Sequence, residues 1–184
     1  MRNPPEEAEI DRHVRAGDVE TAMRALMDMH GGVVLAFCRR FTDSEAEARD
    51  LRQVVFIEAY RDLSSFQGRS TWRTWLLSIA RNRALDRRKA DRRRAARLAV
   101  VEAQQSSAVD EGPADRLALR SIIDRCLGEL SVPNREVVWL RHIIGLRYEE
   151  IAAVVRASTA AAQMRVARSL RSLRQCLDTH GARA

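Results

Sequence analysis

Phe66-Gln-Gly-Arg-Ser-Thr-Trp-Arg-Thr-Trp-Leu-Leu-Ser-Ile-Ala-Arg-Asn-Arg-Ala-Leu-Asp-Arg-Arg-Lys89 decides the reading of this chain. It opens on a turn at Gly68, and Ser70 or Thr71 supplies a cap for the helix that follows. Trp72, Trp75, Leu76 and Ile79 fall at helical spacing and form one apolar stripe. The same face runs on through Asn82, Arg83 and Asp86, so a helix anchored in a core presents its second half to a polar partner. Arg81 to Arg97 holds nine basic residues against Asp86 and Asp91, a local charge of +7 that equals the net charge of the whole chain. A polyanion, DNA above all, is the partner such a helix suits.

The rest of the composition favours helix. The 184 residues are rich in Ala, Leu and Arg, with only 8 Gly and 4 Pro, and 46% hydrophobic content supports packed cores. Lys89 is the sole lysine. No apolar run is long enough to span a membrane, and a cytoplasmic protein without membrane insertion is expected. Cys38, Cys126 and Cys176 show no CxxC or Cys/His ligand spacing. Each reads as a small buried hydrophobe in a reducing compartment, and no metal or cofactor is expected. A recombinase-type enzyme would need a Tyr nucleophile beside an Arg/His cluster. Tyr60 and Tyr148 lie inside helical patterns, Arg141-His142 stands alone, and His13, His30 and His180 lack partners at useful spacing. No catalysis is expected.

Working outward, Pro4 and Pro5 start a first helix that runs to about Ala16. Val19 to Arg40 forms a second, with Ala22, Leu26, Met29, Val33, Phe37 and Cys38 inward and a kink expected at Gly31-Gly32. Ser44 with Glu47 fits a capping box for a third. Its core stripe is Ala48, Leu51, Val55 and Ala59, and Asp50, Gln53, Phe56, Ile57 and Tyr60 make a second, mixed face of the kind found at protein interfaces. The central helix continues to about Leu98. Residues 99–114, with no helical stripe and ending in Gly112-Pro113, read as a flexible linker.

Beyond it, Leu119, Ile122, Ile123, Cys126, Leu127 and Leu130 mark an amphipathic helix. Pro133 opens the next and Gly145 ends it. Tyr148 to Val155, the connection Arg156-Ala157-Ser158 with Ser158 as cap, and Thr159 to about Leu177 follow the helix-turn-helix pattern. Val166, Leu170, Leu173 and Leu177 are the expected inward stripe of the last helix, with a frayed tail from Thr179. Its N-terminal residues, Thr159, Ala160, Gln163, Met164 and Arg168, would face the major groove. Arg165 and Arg171 would reach phosphates or pair with Glu149 and Glu150.

Two blocks resemble the extracytoplasmic-function (ECF) group of the sigma-70 family of bacterial RNA polymerase sigma factors. Asp50-Leu-Arg-Gln53-Val-Val-Phe56, Phe66 and Trp72 through Arg88 are similar to region two. Leu130-Ser-Val-Pro133-Asn-Arg135-Glu136-Val, Leu140-Arg141, Gly145 to Ala152 and Arg165 to Leu173 are similar to region four. The resemblance implies an all-α fold of two small helical domains: a helical bundle over 1–98, the linker over 99–114, a helix-turn-helix domain over 115–178 and a tail over 179–184. It implies an alternative sigma factor that binds core RNA polymerase, at the beta-prime clamp and beta flap, directs it to promoter DNA, and is held by an anti-sigma factor.

The resemblance also implies roles for residues. The clamp would take Asp50, Gln53, Phe56, Ile57 and Tyr60. The minus-ten element would be bound and opened by Phe66, Gln67, Arg69, Ser70, Asn82, Arg83, Asp86, Arg87 and Arg88, with Asn82, Arg83 and Asp86 near an extruded base. The minus-thirty-five element would meet Ser158, Thr159, Ala160, Gln163, Met164, Arg165 and Arg168. The chain departs from the family pattern at Ala160 to Met164, at Arg156 where a turn glycine is usual, and at Arg49 where an acid is usual. A one-component helix-turn-helix regulator is the alternative reading; it leaves the first half of the chain without a role.

Overall fold

The computed structural model describes residues 7–98 and 114–181. The start at Pro4 and Pro5, the last three residues and all of the expected 99–114 linker but Ala114, which begins a helix, lie outside them. Among the described residues the chain is helical: α1 (Ala8–Arg15), α2 (Val19–Cys38), α3 (Glu45–Asp62), a 3-10 turn at Leu63–Ser65, α4 (Trp72–Leu98), α5 (Ala114–Glu129), α6 (Val132–His142), α7 (Tyr148–Val155) and α8 (Thr159–Gly181). It divides into two compact units, one ending at Ser107 and the other beginning at Ala108.

The first unit packs α1 to α4. On α3 the buried stripe is the expected one, Ala48, Leu51, Val55 and Ala59. Ser44 caps it by accepting from the Glu47 N–H at 3.2 Å. The reciprocal arm of the capping box shifts by one residue, because Glu47 accepts from the Asp43 N–H at 3.3 Å. On α2 the stripe differs from the apolar reading: Ala22, Leu26, His30, Val34 and Phe37 are buried, whereas Met29 is 41% exposed. Helical spacing puts His30 on the inner face one turn after Leu26, and turns Met29 toward solvent. The helix continues through Gly31 and Gly32.

α4 is seated by its first half. Trp72, Leu76, Leu77, Ile79, Ala80 and Ala84 are buried, and Trp75 is half-buried. A buried Leu or Ile of this kind contributes about 1.5–3 kcal/mol. The Trp72 indole N–H donates to Asp11 of α1 at 2.8 Å. Thr71 is the local cap, its hydroxyl accepting from the Thr74 N–H at 3.2 Å. A second cap comes from outside the helix: Glu7 accepts from the N–H groups of Trp72 at 2.9 Å and Arg73 at 3.3 Å.

In the second unit, α5 to α8 enclose Cys126, Leu130, Val137, Leu140, Leu146, Ile151, Val154, Val166 and Cys176. Gly145, with φ 76°, turns the chain out of α6. The inward stripe of α8 is Ala162, Val166, Ser169 and Cys176, whereas Leu170 is 39% exposed. Ser169 fits this face because its hydroxyl donates to the Arg165 carbonyl at 2.8 Å. The expected fraying from Thr179 is absent from the described part of the tail. α8 runs on to Gly181, its last turn carrying a hydrogen bond from the Thr179 hydroxyl to the Gln175 carbonyl at 2.8 Å and a His180–Glu129 contact at 3.9 Å.

Candidate nucleic-acid and protein interfaces

A groove of about 660 Å³ lies between α2 and α3. Met23 and Met27 form one wall; Asp50, Gln53, Ile57 and Tyr60 form the other, with Arg49, Arg52 and Arg61 around it. Ile57 is 45% and Tyr60 58% exposed, an apolar surface rimmed by charge. Phe56, expected beside them, is only 6% exposed. Its ring lines the groove and is part of the core, because it sits beside Val55 and about one helical turn before Ala59.

The basic half of α4 is used partly within its own unit. Arg83 makes a bidentate pair with Glu58 of α3, one arm at 2.7 Å, and lies 3.7 Å from Asp86. The Glu58 carboxylate holds the Arg83 guanidinium above its ordinary pKa. Arg87 pairs with Glu47 of α3 at 3.1 Å and with Asp91 at 3.9 Å. These two rungs tie antiparallel α3 and α4 together. Two arginines expected to face DNA therefore have partners inside the bundle. Arg88 lies over the Phe41 ring at 5.9 Å. Asp86, Lys89, Arg92 and Arg93 are exposed, and Asn82 is half-buried.

In the loop before α4, Phe66 stacks on Trp72 with ring centroids 3.6 Å apart and lies 5.4 Å from Trp75. Its ring belongs to an aromatic cluster that seats the loop. Gln67 and Arg69 are exposed beside Gly68, whose φ of 64° makes the turn, and Ser70 is half-buried.

α7 and the start of α8 fall where the sequence puts them, while α8 runs past the expected end near Leu177 to Gly181. Glu150 is 3% exposed and accepts from the Arg147 N–H at 2.9 Å, closing the start of α7. Arg156 takes the left-handed conformation at φ 54°, and Ser158 caps α8 by accepting from the Ala161 N–H at 3.1 Å. Ala162 and Val166 point inward, leaving Ser158, Ala160, Gln163, Met164 and Arg168 exposed, with Thr159 and Arg165 half-buried. The expected surface is therefore one face of α8. Arg141 is a structural residue: it donates to the Leu146 carbonyl at 3.0 Å and lies 4.7 Å from the Tyr148 ring centre.

Four pairings escaped the sequence reading. His30 Nε2 lies 3.1 Å from the Glu7 carboxylate in the core. Burial pushes the Glu7 carboxyl up, but His30 and the two α4 N–H groups outweigh it and hold Glu7 below its ordinary value. His13 lies 3.4 Å from Asp18, and His180 faces Glu129. The three histidines thus do have carboxylate partners; for His30 and His180 these come from other helices, where spacing along the chain gives no sign. Cys126 and Cys176 are not separate small hydrophobes but a disulfide between α5 and α8, Cα–Cα 5.7 Å and 50 residues apart. Helix packing brings them together. Cys38 matches its expectation: it is buried, and burial pushes its thiol up to about 12.

Comparison with known proteins gives two family models in chain order: Sigma-70 region 2 over residues 26–94 and Sigma-70, region 4 over residues 120–173. The RNA polymerase sigma factor CnrH of Cupriavidus metallidurans is 30% identical, over 96% of this chain and 97% of its own. The ECF RNA polymerase sigma factor SigK of Mycobacterium tuberculosis is 27% identical, over 97% and 99%. Among solved structures, CnrH in complex with the cytosolic domain of CnrY aligns with a TM-score of 0.64 at 29% identity, over 92% of this chain and 98% of that one. The sigma factor RpoE of Bartonella quintana, solved with the anti-sigma factor NepR, shares the fold with a TM-score of 0.68 at 23% identity, over 83% and 94%.

Proposed function

Because this chain belongs to the ECF group of the sigma-70 family of RNA polymerase sigma factors, we propose that the α2–α3 groove docks it on the beta-prime clamp of core polymerase. The observation that carries this is the pairing of exposed Ile57 and Tyr60 with Asp50 and Gln53 on the outer face of a helix whose other face is fully committed to the core. The groove and the basic half of α4 share the first unit, so polymerase binding and minus-ten opening would fall to one small bundle. Gln67, Arg69, Asn82 and Arg88 would meet the opened strand, while Arg83 and Arg87 hold α4 against α3. The exposed face of α8 would read the minus-thirty-five duplex, and the second unit would also meet the beta flap. The protein acts in the cytoplasm with the polymerase and carries no catalysis of its own. An anti-sigma factor would compete for the same groove, since an apolar surface of this size is costly to leave open to water. Run-off transcription with core polymerase tests the whole reading. Initiation from a cognate promoter only when this chain is added supports it; association without any promoter-dependent initiation contradicts it.

A further inference from the structure

We propose that, once the Cys126–Cys176 disulfide is reduced, Cys126, Glu129, Cys176 and His180 form a binding site for a thiophilic divalent cation of the zinc class. Cys126 and Glu129 stand three residues apart on α5, and Cys176 and His180 four apart on α8, so each helix presents its pair on one face. Ligand atoms of Glu129, Cys176 and His180 already lie within 4.8 Å of one another, and His180 Nε2 is 3.9 Å from Glu129 Oε1. Tetrahedral zinc with bonds of about 2.0–2.3 Å needs ligand atoms about 3.3–3.8 Å apart, so a small inward adjustment suffices. The second sulfur is at hand, since Cys126 is bonded to Cys176. The site opens on a groove of about 420 Å³ shared with Asn134 and Gln175, which gives an ion a path in. Two thiolates, an imidazole and a carboxylate are a donor set that zinc takes.

The redox step balances with a dithiol reductant. One of its thiolates attacks a disulfide sulfur and releases the other protein sulfur as a thiolate. Its second thiol then displaces the mixed disulfide, so the reductant leaves oxidised and two electrons remain on the protein. The cation displaces the remaining thiol protons to solvent and undergoes no redox change. α5 and α8 are thereby clasped in either state, by a covalent bond when oxidised and by an ion when reduced.

Cobalt(II) titration of the full-length chain tests this, with and without prior reduction by a phosphine. Reduced protein is expected to bind one cobalt, with thiolate-to-cobalt charge transfer and tetrahedral d–d bands that added zinc abolishes. The oxidised protein and Cys176→Ser are expected to show neither, and Cys38→Ser to behave as the parent. His180→Ala should weaken binding about tenfold or more. Helicity of Cys176→Ser matching the reduced parent separates ligand loss from unfolding. No charge transfer in the reduced parent, bands that survive in Cys176→Ser or vanish in Cys38→Ser, or unchanged affinity in His180→Ala would each overturn the site.

Discussion

Glu7 accepts a hydrogen bond from the backbone N–H of Trp72 at 2.9 Å, across 65 residues of sequence. The contact puts a carboxylate at the positive end of α4 and uses α1 to fix where that helix begins. The basic surface of α4 depends on that helix start, because its exposed arginines lie on the same helix.

Glu7→Ala should therefore destabilise the first unit by about 3 kcal/mol, leaving two α4 N–H groups and His30 without the carboxylate. Glu7→Gln should alter the pH dependence. The folded Glu7 titrates below its ordinary 4.5, so its contribution is complete above that value and is lost as pH falls through the lower folded pKa. Thermal melts from pH 7 to pH 3 check this. The parent should lose more stability across the acid limb than Glu7→Gln; parallel curves would refute the linkage.

What the sequence made legible and what it hid divide along a physical line. The bounds of α7 and the start of α8 were readable because their signals are local: a break at Arg156-Ala157-Ser158 and a cap at Ser158. The α3 stripe was readable because Ala48, Leu51, Val55 and Ala59 repeat with the helix. Glu7, His30 and the Cys126–Cys176 bond were hidden because their partners come from other helices. Phe56 was misplaced because periodicity gives a direction around α3 but not how closely α2 approaches it. The resemblance to region two offered Arg83 and Arg87 to DNA, and nothing local reveals Glu58 and Glu47 across the helix pair.

Arg156 sits at φ 54°, a conformation that costs a side-chain-bearing residue about 1–2 kcal/mol and glycine almost nothing. Arg156→Gly should raise the stability of the second unit by about 1 kcal/mol in urea unfolding. A loss of stability would mean that the arginine side chain has a compensating contact.

The Glu58–Arg83 pair is partly exposed, with Arg83 at 42%. A double-mutant cycle with alanine at both positions should give a coupling of about 1 kcal/mol or less. Arg92→Ala and Arg93→Ala should leave stability unchanged and lower the salt dependence of single-stranded DNA binding by about 0.7 each. If Arg83→Ala lowers the salt slope as much as these do, its side chain leaves Glu58 for DNA.

Minus-ten bases should carry more of the promoter specificity than minus-thirty-five bases. The exposed face of α8 begins on the short side chains of Ala160 and Ala161, and Gln163, Met164 and Arg168 extend from its first turns. A lost base contact costs about 1–3 kcal/mol of discrimination. Asn82→Ala should impair promoter opening, followed by permanganate reactivity, with core binding intact, and Gln163→Ala should do less. The reverse ranking would make α8 the main reader.

Fluorescence titration of labelled protein with core RNA polymerase tests the central claim most directly. Asp50→Arg and Ile57→Asp with Tyr60→Ala alter exposed side chains of the groove and spare Phe56, whose loss would disturb the core. Both variants should melt like the parent and bind core polymerase at least about tenfold more weakly, the equivalent of 1.4 kcal/mol. Parental affinity in both variants would contradict the account and place the polymerase contact elsewhere on the chain.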